Sequence, residues 1–229
     1  MSAEPISHDD DAHPPGEDLP VYVLVGRSNH SGEIPIATDQ SRYGPAPRCF
    51  LSPVDALLEM AFVQRHQKDI VNAVWPANRA PARAFLFSEF RQRPLAIHTA
   101  WLAHDDRLIV SSNGYLGRLV LDQPEKWRAR YQDPACMVID HDTLDMLDRV
   151  HERAGLFAWQ ETLESIRDEF AKPFLQQTGL RRAIASFDDI RTIRVSMDDA
   201  TQLALYDPEA ARWHFVPRNA GDTRQLSRS

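Results

Sequence analysis

Residues 95–122 read LAIHTAWLAHDDRLIVSSNGYLGRLVLD, and they decide what fold to expect. Leu95, Ile97, Thr99 and Trp101 alternate with Ala96, His98, Ala100 and Leu102, which is the two-residue period of a strand. HDDR at 104–107 interrupts the run as a turn, and RLIVSS resumes it. Asn113-Gly114 is the strongest short hairpin signal in the chain, since both central residues of a type I′ turn need a positive φ. YLGRLVLD then returns. Three extended runs joined by short turns predict an antiparallel meander.

Toward the N-terminus, CFLSPVDALLEMAFVQRH (49–66) announces a helix that can continue through KDIVNAVW (68–75) and must stop near Pro76. Ser52 can cap it, Pro53 suits its first position, and Asp55 completes an S-x-x-D capping box. Val54, Leu57, Leu58, Ala61 and Phe62 fall on one face, and Leu51 can fold back on the first turn. Before it, VYVLVGR (21–27) is a strand, and the Ser-, Gly- and Pro-rich segment 27–47 is an irregular connection. RAFLFSEF (83–90) is a further strand candidate.

Toward the C-terminus, MVID (137–140) adds a strand, and a helical pair follows at about 141–178. Leu144, Leu147, Val150 and Ala154 make the first stripe, and Gly155 is placed to end that helix. Leu156, Trp159, Leu163, Ile166, Phe170 and Phe174 recur every three or four residues, and Pro173 should stop or kink the second helix near Ala171. IRTIRVS and QLALYDPEAARWHFV return to strands, with Asp207-Pro208 as a turn. This order predicts an α+β fold: a mostly antiparallel sheet with the helices packed on one side. Residues 1–19, acidic and poor in large apolar side chains, read as a disordered tail. Residues 20–217 form the expected single domain, and 218–229 a flexible C-terminal tail.

The chain has 229 residues, 43% of them hydrophobic, enough to bury a full core without disulfide or metal staples. Acids outnumber bases 33 to 26, and the basic residues occur only in short pairs such as Arg181-Arg182. That argues against a broad nucleic-acid face, which needs clustered Lys and Arg. Cys49 and Cys136 form no CxxC motif, so buried free thiols are expected. The N-terminus lacks the pattern of a secretory signal, and no run reaches the length of a membrane span. A cytoplasmic protein with no membrane partner is the resulting expectation.

Chemistry is harder to find. Asp140-His141-Asp142 looks like a ligand or proton-transfer group, but acids at a helix start also suit the positive end of the dipole. His151 lies about 280° around from His141 at 100° per residue, so it does not join that face. His98 and His104, six apart, share a strand face if the strand is regular. Together with Asp140 and His141 they define a dispersed site for a metal-assisted or acid–base hydrolase. Against that reading, GxGxxG, HExxH and GxSxG are all absent, and each of the four residues has an ordinary structural role. Cys49, just before a helix start, reads as an inert thiol. The acidic tail residues His8, Asp9, Asp10, Asp11 and His13 read as solvated. No cofactor or metal is expected. The acidic balance and the lack of a catalytic motif favour a protein-binding module, of an inhibitor, immunity-type or adaptor kind, for a basic protein partner.

Overall fold

A computed structural model describes residues 16–26, 35–41, 44–66, 71–77, 79, 95–123, 136–171 and 173–219. The strand candidate at 83–90 lies outside these residues, as does most of each tail. Among the described residues the fold is α+β, with a ten-stranded sheet, a separate two-stranded sheet and four helices. In chain order the elements are β1 (Gly16–Pro20), β2 (Tyr22–Gly26), β3 (Thr38–Ser41), β4 (Gly44–Phe50) and α1 (Pro53–His66). Next come β5 (Val71–Pro76), β6 (Leu95–His104), β7 (Arg107–Ile109), β8 (Arg118–Gln123) and β9 (Cys136–Asp140). Then follow α2 (His141–Arg153), α3 (Trp159–Phe170), α4 (Pro173–Ser186), β10 (Thr192–Ile193), β11 (Gln202–Asp207) and β12 (Arg212–Pro217). Among the described residues no helix is long and apolar enough to cross a membrane.

The sheet corrects the expected meander. β6–β7, β6–β8 and β11–β12 are antiparallel neighbours, but β4 runs parallel to β6 and β10 parallel to β7, so the sheet is mixed. Tight turns account for the β6–β7 and β11–β12 pairs. The parallel pairs arise because the long connections return the chain to the same end of the sheet. Strand pairing also begins inside the stretch read as a tail: β1 pairs antiparallel with β9, Gly16 opposite Asp140.

β6 is the spine of the fold, buried from Leu95 to Ala103. Trp101 and Ala103 share a core with α1, while Ala100 and Leu102 share another with Val150 of α2 and Ala154 just after it. Neighbouring residues of a strand point to opposite faces. Helices therefore cover both faces of β6, where one covered side was expected. α1 is buried all round from Ala56 to Val63 and ends at His66; the expected continuation toward Pro76 is instead strand β5, drawn into pairing with β2.

Turn chemistry explains the chain reversals. The type I′ geometry falls at Asp105-Asp106, whose φ values of 48° and 53° close β6 onto β7 with His104 opposite Arg107. Asn113-Gly114 does mark a reversal, but as a longer loop. The Gly114 amide donates to the Ser111 carbonyl, the Ser111 amide to the Tyr115 carbonyl, and only Gly114 has positive φ. That is a turn followed by a left-handed residue, the usual three-residue connection. Gly155, at φ 77°, ends α2, and the Leu156 amide reaches back to the His151 carbonyl at 2.9 Å. α3 ends at Phe170, and Pro173 opens α4.

Candidate functional site

Two features stand out, a buried ring of charges and a cleft beside it. The ring joins Asp39 of β3, Arg48 of β4, Glu59 of α1 and Arg118 of β8. Arg48 clasps Asp39 through Nε at 3.0 Å and Nη2 at 2.7 Å, and its Nη1 donates to Glu59 Oε1 at 2.9 Å. Arg118 donates to the same Glu59 oxygen at 2.7 Å and to Asp39 Oδ1 at 2.8 Å. Trp101 Nε1 adds a bond to Glu59 Oε2 at 3.3 Å. Two cations meet two anions, and all four side chains are buried. Burial pushes the Asp39 carboxyl up, but the Arg118 and Arg48 guanidiniums outweigh it and hold the group below its ordinary value. A closed, neutral ring of this kind fixes how β3, β4, α1 and β8 meet. No cavity reaches Arg48, Glu59 or Arg118 among the pockets described.

The cleft arises from a split in the sheet. His98 pairs with Phe50 of β4 on one edge and with Val120 of β8 on the other. Trp101 pairs with Ala204 of β11 and with Arg118 of β8. Hence β4 and β11 share the edge of β6 opposite β8. β4 ends at Phe50, and β11 pairs with β6 only from Gln202 to Ala204. The edge is open between them, beside Thr99. There the β6–β8 register slips between His98 and Ala100, so Thr99 is the extra residue of a bulge. Bulges re-aim side chains, and here the consecutive residues His98 and Thr99 both line one cavity.

That cavity is about 210 Å³ and lies where β4 passes into α1, against α2, α3 and the β11–β12 turn. A crevice at the carboxyl end of a strand, where neighbouring connections part, is where open sheets commonly bind ligands. Its most buried polar residues are Ser52, His98 and Thr99. Ser52 Oγ caps α1, accepting from the Asp55 amide at 3.2 Å, as the S-x-x-D pattern predicted. The Asp55 carboxyl turns to the cavity instead of hydrogen-bonding among the described residues, and burial pushes it up to about 7. His98 packs its ring on Phe50 and Trp101, at 5.1 and 4.4 Å between centroids. Among the described residues neither of its ring nitrogens has a hydrogen-bond partner, and neither does the Thr99 hydroxyl. Burial, then the Arg118 and Arg48 charges, lowers His98 to about 3, so its imidazole is neutral.

The lining is mixed, and Leu51, Leu147, Leu163 and Trp159 supply its apolar part. His151 stacks on Trp159 at 4.4 Å, and its Nδ1 bonds the Leu147 carbonyl at 2.8 Å. Burial lowers His151 to about 4. Phe157 stands at the rim, 77% exposed. Asp207 and Glu209 complete the rim; Asp207 Oδ1 accepts from the amides of Glu209 and Ala210, and Glu209 Oε1 from the Thr162 hydroxyl. Among the described residues no Lys or Arg lines the cavity.

Neither His104 nor His141 of the dispersed site joins His98 here. His98 lines the cleft. His104 sits at the far end of β6, with Nδ1 2.9 Å from the Asp199 carbonyl oxygen and Asp105 alongside. The bulge reverses the alternation between them, so the shared face expected for a regular strand is lost. His141 is exposed as the first residue of α2, and Asp140 ends β9 ahead of it, as a helix start requires. Among the described residues no three His, Cys, Asp or Glu side chains cluster as a metal site would require. Cys49 is buried, its thiol pushed up to about 12 by burial and then by Asp39. Sequence reading missed Asp55, Thr99, His151 and Phe157 as site residues. Only Phe157, an aromatic just past a helix-ending glycine, carried a local signal. Compared with protein-family models, with curated proteins and with solved structures, the chain matches none.

Proposed function

We propose that this protein is a binding module that receives a basic segment of another protein in the cleft at the β6 bulge. One observation carries the reading: an exposed phenylalanine, Phe157, borders a partly apolar cavity lined by Asp55, Asp207 and Glu209 and, among the described residues, by no cation. Solitary exposed aromatics beside a pocket are the usual anchors of protein interfaces. The three acids supply the complementary sign for a basic partner and would speed its approach. The inhibitor, immunity-type or adaptor role rests on this cleft.

The test replaces Phe157 with a photo-reactive phenylalanine, cross-links in the source cell and identifies the captured protein. Its binding to the wild type and to Phe157→Ala is then measured at low and high salt. Loss of about tenfold in affinity on truncation, with an association rate that falls as salt rises, supports the proposal. A captured protein that binds Phe157→Ala as tightly as wild type sinks it.

A second reading, acid–base catalysis in the same cleft, is favoured by a different observation. A carboxyl held near 7, Asp55, and a neutral imidazole, His151, line one cavity. Turnover of a generic ester or phosphate substrate that vanishes in both Asp55→Asn and His151→Gln would promote it over binding.

A further inference from the structure

We infer that the inner end of the cleft at the β6 bulge is a lysine-recognition pocket, in which His98, Thr99 and Asp55 accept the three hydrogen bonds of an ammonium group. This rests on the binding reading above and names the chemistry of what is bound.

The argument starts from unmet hydrogen-bonding capacity. His98 and Thr99 are 4% and 5% exposed, both line the cavity, and their ring nitrogens and hydroxyl have no partner among the described residues. Buried polar groups are almost always paired, so an orphan pair facing one cavity calls for a ligand. A neutral imidazole offers one lone pair and a threonine hydroxyl another. Asp55 adds a carboxylate with no hydrogen bond among the described residues. Three acceptors on separate side chains suit a compact group with three donors and no acceptor, which is an ammonium.

Charge selects in the same direction. The titratable groups lining the cavity are Asp55, His98, His151, Tyr206, Asp207 and Glu209. None of them is a cation at neutral pH, since burial keeps both histidines neutral. An anionic ligand would meet three carboxyls, and among the described residues no guanidinium or ammonium lines the cavity; Arg118 and Arg48, which act on His98 from behind, are already paired with Asp39 and Glu59. A cation replaces the missing countercharge of Asp55. The walls then need an aliphatic stem, and Leu51, Leu147 and Leu163 supply apolar surface for one. A lysine side chain joins both halves, a stem that packs and a head that bonds. An arginine head is planar and forks its donors toward a single carboxylate or phosphate, a poorer match to acceptors spread over β6 and α1.

The experiment uses the full chain, labelled for NMR, and four probes: N-acetyl-lysine N-methylamide, its Nε-acetylated form, the norleucine analogue and the arginine analogue. The lysine probe should shift the amide signals of Asp55, Thr99 and Ala100 in a saturable way. Asp55→Asn should weaken it about tenfold or more, the usual loss for a charged hydrogen bond, and Thr99→Val by about three- to tenfold. Neither variant removes apolar packing, so folding is checked by the unchanged remainder of the spectrum. Equal binding of the acetylated or norleucine probe, or shifts elsewhere on the protein, overturns the assignment. An arginine probe that binds tighter than lysine overturns it as well. If the lysine probe fails while a cross-linked partner still depends on Phe157, only the ammonium pocket is lost. If the probe binds while no partner depends on Phe157, the protein-docking reading is lost and a free-amine site remains.

Discussion

Arg48 and Arg118 reach the same oxygen of Glu59, at 2.9 and 2.7 Å, although they lie on strands on opposite sides of β6. Glu59 is fully buried. It stands between two guanidiniums that would otherwise face each other across the core. Glu59→Gln leaves an uncompensated cation there, and the expected cost is about 3–5 kcal/mol. Urea unfolding at neutral pH measures it. A loss below about 1 kcal/mol would show that the ring contributes little to folding.

Asp55 gives the cleft a pH signature. Its ordinary value is 3.8, and in the fold it is pushed up to about 7. The folded state thus prefers the neutral acid. Nothing is lost below about pH 4; stability then falls as pH rises toward 7 and levels off above it. Asp55→Asn removes this loss. The variant should match the wild type near pH 4 and exceed it by up to about 4 kcal/mol at pH 8, from 1.36 kcal/mol per unit. Parallel stability curves for the two proteins would refute the shift.

His98 acts in the opposite sense. Its folded value, about 3, lies below the ordinary 6.5. The folded state excludes the proton, so stability is fully present above about pH 6.5 and is lost as pH falls toward 3. At pH 5 the loss is about 2 kcal/mol. His98→Leu keeps an apolar group between Phe50 and Trp101 and has no proton to bind. Its stability relative to wild type should rise by that amount between pH 7.5 and pH 5. Thermal melts across that range decide it.

Ser52→Ala removes the oxygen that accepts from the Asp55 amide at 3.2 Å. The loss should be about 1 kcal/mol, the usual figure for an N-cap hydroxyl. Because the cap also holds the first turn of α1 beside the cavity, the lysine probe should bind the variant more weakly. A Ser52→Thr variant keeps the acceptor and should restore both properties.

Much of the fold was legible because it is local. The Ser52 cap, the stop at Gly155, the break before Pro173 and the stripe Leu144-Leu147-Val150 depend on neighbours within a few residues. Their signals therefore sit in the sequence. The α+β class followed from the order of such elements. The Asp105-Asp106 turn was visible as a turn, but its positive φ values were not, since Asn-Gly was the stronger candidate for that geometry.

The rest needed tertiary structure, for reasons that lie in particular residues. β6 is apolar on both faces, so its alternation could not fix a register, and the bulge at Thr99 left no mark. That bulge parts His98 from His104 and brings His98 beside Thr99. Pairing of β4 with β6 joins residues that are far apart in the chain, which no periodicity encodes. Glu59 offered the one hint of the charge ring, a lone acid inside the apolar run ALLEMAFV. Its partners Asp39, Arg48 and Arg118 look like ordinary surface residues in sequence. Only the folding of three strands around α1 takes them out of water, and only that burial makes their pairing matter.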